Sequence, residues 1–81
     1  MASDESGRDE ATFLKMLEAT EADSQATGSE VVTWPYARLA SIYRKRGDAA
    51  AERSILERFA AQKRLDTFES ASLLRRLRTM P

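Results

Sequence analysis

The chain has neither cysteine nor histidine among its 81 residues. The first absence excludes disulfides and thiolate metal ligands. The two together remove the usual residues of zinc sites and of Ser-His or Cys-His nucleophile activation. No stretch approaches the roughly 18 apolar residues that a membrane span needs, and the opening Met1-Ala-Ser-Asp-Glu lacks the basic start and apolar run of a secretion signal. The paired acids Asp4-Glu5 and Asp9-Glu10 have the residue type for general acid–base work, but a floppy segment cannot hold the geometry that such work requires. The expectation is a soluble cytoplasmic protein that is not an enzyme and takes no cofactor, metal, membrane or small-molecule substrate.

Net charge is also absent, since 13 basic residues balance 13 acidic ones. Their distribution is lopsided. Residues 1–30 hold eight acids and two bases, whereas residues 31–81 hold five acids and eleven bases. The two parts therefore attract each other, or the basic part attracts something else.

The most strongly patterned stretch runs from Trp34 to Phe59. Tyr36, Leu39, Ala40 and Tyr43 fall on one stripe of a helix, broadened by Ile42, with Arg38, Ser41, Arg44 and Lys45 on the outer face. Pro35 suits a first turn, where its missing N–H has no intrahelical partner. Gly47 can adopt the left-handed conformation that closes a helix, and Asp48 can accept from the first N–H groups of the next. In that second helix Glu52, Ile55, Leu56, Phe59, Ala60 and Lys63 share a face, and so short a connection forces antiparallel neighbours.

These residues resemble a tetratricopeptide repeat, whose first helix carries an aromatic, a Leu, a small residue and a Tyr before a closing Gly. Tyr36, Leu39, Ala40, Tyr43 and Gly47 match. The second helix departs from the pattern: Glu52 stands where a small residue is usual, Leu56 at a later aromatic position, Phe59 where a small residue is common, and Arg64 in place of a proline. Moved on by the family's period of about 34 residues, the first-helix stripe falls on Ser70, Leu73, Leu74 and Leu77. The resemblance thus implies that the C-terminal segment is the next repeat's first helix or a capping helix, and that the whole serves protein–protein interaction.

The flanks complete the outline. Residues 1–8 combine Ser, Asp, Glu and Gly without a large apolar group and predict a disordered acidic tail. Phe13, Leu14, Met16 and Leu17 predict a helix to about Ala22, and Asp23 to Thr33 a connection whose Val31 and Val32 anchor it beside Trp34. Asp66 with Glu69 has the form of a capping box opening a last helix with Leu73, Leu74 and Leu77 as its seam. Phe68 lies off that seam, packed elsewhere or partly exposed. The expected fold is all-α, a single domain over 9–81 built on the hairpin 34–64 and a capping helix 66–79. Its helices are expected near 9–22, 35–46, 49–64 and 67–78. The expected core is Phe13, Leu17, Leu39, Tyr43, Ile55, Leu56, Phe59, Leu73 and Leu77.

Two functions are compatible with this outline. The first is a small adaptor or regulatory module that binds a helix or peptide, or a second copy, through an apolar patch at Val32, Tyr36 and Ala40 with Arg38, Arg44 and Arg46 around it. The alternative is binding of nucleic acid or another polyanion by the clusters Arg44-Lys45-Arg46 and Arg75-Arg76-Arg78, which come together if the last helix folds back. Each has a plainer reading. Cations near helix C-termini favour the helix dipole, and Trp34, Tyr36 and Tyr43 are more simply core than stacking platforms. Glu52, on an apolar face, needs a partner, for which Arg38, Arg53 or a turn N–H are at hand.

Overall fold

The structure, a computed structural model, describes residues 2–80, with side chains from Arg8 to Met80. Four helices follow one another: α1 (Ala2–Thr27), α2 (Trp34–Arg46), α3 (Ala49–Ala60) and α4 (Phe68–Thr79). There is no strand among the described residues; the one β-type contact is a parallel bridge between Val31 and Arg64. The all-α class is the one the sequence predicts. No described helix is long and apolar enough to cross a membrane.

Each helix packs on its sequence neighbours: α1 on α2, α2 on α3, α3 on α4. At about 1.5 Å per residue, the 26 residues of α1 account for the 40 Å long axis of the molecule. The α2–α3 hairpin forms as its residues require. Gly47 takes φ 78°, and its N–H donates to the carbonyl of Arg44 at 3.1 Å while that of Asp48 reaches Tyr43 at 2.9 Å. The Asp48 carboxylate then accepts from Ala51 N–H at 3.0 Å, capping α3. Termination and initiation are thus achieved by two adjacent residues.

Four boundaries differ from expectation. Helix α1 runs past Ala22 to Thr27 and ends at Gly28, which has φ 75° and donates to the Ser24 carbonyl at 2.8 Å. At its other end the backbone is already helical from Ala2, so the segment expected to be a disordered tail continues α1. Met1 and the side chains through Gly7 lie outside the described residues. Helix α3 stops at Ala60 rather than Arg64, because the Lys63 carbonyl accepts from Val31 N–H at 2.8 Å. Arg64 turns back instead, donating from Nη1 to the carbonyls of Ala60 and Gln62 at 2.9 and 3.1 Å. The last helix starts one residue later than expected. Thr67, not Asp66, is its cap, accepting from Ser70 N–H at 3.1 Å, and Ser70 rather than Glu69 stands third in the helix.

The core comprises Leu17, Val31, Tyr36, Leu39, Ala40, Tyr43, Ile55, Leu56, Phe59 and Leu73. Seven of the nine expected residues are among them; Phe13 and Leu77 are half-buried against the edge. Tyr36, Ala40 and Val31 are additions. The Tyr36 and Phe59 rings meet at 4.9 Å, joining the two arms of the hairpin, and Phe13 meets the half-exposed Trp34 edge-on at 5.8 Å.

Candidate functional site

The patch expected at Val32, Tyr36 and Ala40 is not a surface. Tyr36 and Ala40 are fully buried, and only Val32 is exposed. Helix α1 lies over α2 and covers this side of the hairpin, bringing Leu17 into the same core as Tyr36 and Ala40. The described part of α1 brings only Leu17 fully into the core, with Phe13 and Leu14 packed at its edge, and two carboxylates complete the seal. Glu10 and Glu21 are eleven residues apart, close to three helical turns, so both project from one face of α1.

Glu21 accepts from the Tyr36 hydroxyl at 2.7 Å and from Nε and Nη2 of Arg58 at 2.9 and 2.8 Å. Glu10 accepts from the Tyr43 hydroxyl at 2.9 Å and from Arg46 Nη2 at 3.0 Å. Each carboxylate thus clamps a tyrosine of α2 and an arginine of the hairpin. The hydrogen bonds from Tyr43 and Arg46 hold Glu10 below the ordinary carboxylate range. Burial works against the charge of Glu21, but the bonds from Arg58 and Tyr36 outweigh it and depress that group too. Desolvation and the adjoining carboxylate push Tyr43 up to about 12, and Tyr36 is raised as well. Groups held so firmly in one protonation state do not exchange protons near neutral pH. The two triads fasten α1 to the hairpin, which is where the acidic N-terminal part and the basic remainder meet.

The remaining expected site residues divide. Arg38 and Arg44 are exposed, while Arg46 is bound by Glu10. Glu52 has neither Arg38 nor Arg53 as partner, nor is it a cap. It is buried and faces Arg76 of α4 at 3.6 Å, beyond hydrogen-bonding distance, and Arg76 Nη1 has no hydrogen-bond partner. This contact brings the C-terminus of α4 back to that of α2, since Arg44, Glu52, Arg76 and Met80 line one recess. The two basic clusters therefore do approach each other, although Arg46 and Arg76 face carboxylates there.

Besides Met16, Val32 and Trp34, which are about half-exposed, the most exposed large apolar side chains lie along α4 and the segment before it. Helix α4 buries Ser70 and Leu73 against α3 and leaves its outer side without a covering element among the described residues. Phe68 is 89% exposed and Leu65 55%. A separate open recess of about 460 Å³, which neither Phe68 nor Leu65 lines, is formed by Ala60, Ala71, Leu74 and Leu77, with Asp66, Arg75 and Arg78 at its margin. The sequence puts Phe68 off the Leu seam, packed elsewhere or partly exposed, and the structure exposes it. What the sequence did not give was the neighbour it lacks. Comparison of the chain with known protein families, curated proteins and solved structures finds no match.

Proposed function

We propose that this protein is a non-catalytic helical interaction module and that its docking face is the outer side of α4 with the approach segment Lys63–Thr67. The observation that carries the reading is the 89% exposure of Phe68. An aromatic ring placed in water on α4, which also lines the separate recess at Ala71 and Leu74, costs solubility and contributes nothing to the core, and such patches mark interaction sites. A helix is the ligand that suits this face, because α4 and Ala60 at the end of α3 border an open recess lined by Ala and Leu with charges at its margin. The order of packing, each helix on its sequence neighbours with α4 last, supports the likeness to a tetratricopeptide hairpin with a further helix stacked on its open end.

Titration of the labelled chain with a synthetic amphipathic Leu/Glu helix tests the proposal. Amide shifts are expected to cluster at residues 65–78 and to vanish in Phe68→Glu, whose thermal midpoint should stay near that of the parent. The approach of Arg44 to Arg76 favours a second reading, binding of a polyanion at that end. If duplex DNA shifts Arg44, Lys45 and Arg53 with strong salt dependence while the helix peptide shifts nothing, the second reading replaces the first.

A further inference from the structure

On the basis of that docking reading, we propose that the occupant of the α4 face is α4 of a second copy of this chain, lying antiparallel across a two-fold axis. The exposed stripe of α4 is Phe68, Ala71, Ser72 and Arg75, with Leu74 beside it half-buried. An antiparallel pair centred between positions 71 and 72 sets residue i opposite residue 143 − i on the partner copy. Phe68 then faces Arg75 of the other copy, a cation–π contact made twice. Ala71 faces Ser72, two small side chains that let the helices approach closely.

Charge selects the same orientation. The acids Asp66 and Glu69 are at the start of α4, and the exposed cations Arg75 and Arg78 are towards its end. A parallel pair would superpose like charges and aligned helix dipoles; an antiparallel pair sets acids near cations and opposes the dipoles. A two-fold pairing also uses the same patch on both copies and closes upon itself. The contact is small. A helix of 12 residues is roughly 18 Å long, and a pair of that length buries less than the ~1,200 Å² of a standard interface, so the dimer belongs with weak, transient ones, with a dissociation constant on the order of 0.1 mM.

Sedimentation equilibrium of the full chain, across a decade on either side of that concentration, should show the mass rising towards twice that of the monomer. Phe68→Lys, which sets a cation against Arg75 of the other copy, and Arg75→Glu should each weaken association at least about tenfold while leaving the thermal midpoint near the parent value. Because the chain has no cysteine, single spin labels can be placed at Glu69→Cys, off the contact stripe, and Thr79→Cys. The label pair at position 79 should be farther apart along the helix axis than that at position 69 by about 15 Å at 1.5 Å per residue. A monomeric mass throughout, two equally short distances, two equally long ones, or association indifferent to Phe68→Lys would each overturn the self-pairing. A chain that stays monomeric yet takes up the synthetic helix at residues 65–78 overturns the self-pairing alone. One that does neither overturns the docking reading with it.

Discussion

Leu39 has no exposed surface and sits between α1 and α3, so little around it can collapse into the space that its side chain would leave. Leu39→Ala should lower the free energy of unfolding by roughly 2–5 kcal/mol, a large share of what a domain of this size possesses. Chemical denaturation at constant slope is the measurement, and a loss below about 1 kcal/mol would show that the site is not close-packed. The two glutamates make a different kind of contribution. Their folded pKa values are below the unfolded value of 4.5. The stability they add is therefore fully present above that value and is lost as the pH falls through the lower, folded pKa. Tyr43 works in the opposite sense: raised from 10.0 to about 12, it contributes below pH 10 and loses that contribution as the pH rises towards 12. Melting temperature against pH should accordingly fall off at both ends. In Glu21→Gln the acid limb should flatten, with a loss near neutrality of about 1–3 kcal/mol from the weakened bonds to Arg58 and Tyr36.

Among the elements, the α2–α3 turn is the one most completely specified by its own residues. Gly47 has φ 78°, and a Cβ there would meet nothing within 4 Å. Gly47→Ala should thus cost only the left-handed backbone penalty of roughly 1–2 kcal/mol, without clash, and Gly47→Asn should cost less. Urea midpoints for the two variants check this; equal costs would mean that the turn relaxes away from the left-handed state. Capping shows where local rules lose their grip. Asp66 and Glu69 satisfy the spacing of a capping box as well as Thr67 and Ser70 satisfy the cap that forms. Thr67 is the residue that caps, accepting from Ser70 N–H, and the backbone just before it at 63–64 pairs with Val31, which precedes the hairpin.

At the scale of the whole molecule, α1 is the element on which the rest depends. It covers Tyr36, Leu39 and Ala40 with Leu17, and its Glu21 and Glu10 carboxylates accept from the hydroxyls of Tyr36 and Tyr43. A chain shortened to residues 28–81 would expose that apolar stripe and leave Arg46 and Arg58 without their acids. It should show no cooperative thermal transition by circular dichroism at 222 nm, whereas a sharp melt near the parent temperature would mean that the hairpin and α4 are stable alone.

By itself the sequence determined the all-α class, the hairpin with its turn at Gly47-Asp48, and most of the core, because each follows from spacing within one helix and from the chemistry of adjacent residues. Tyr36, Leu39, Ala40 and Tyr43 must share a face whatever surrounds them. Only the tertiary structure decided which face of the hairpin is covered, since that depends on where α1 lies, and α1 is held in part by Glu10 and Glu21. Acids on the inner side of a helix read locally as solvent-facing residues. Their partners Arg46 and Arg58 are 36 and 37 residues away in sequence, beyond any local period. The same assembly buries the patch expected at Tyr36 and Ala40 and leaves Phe68 in solvent: burial is a property of what packs on a side chain, and nothing among the described residues packs on the outer side of α4.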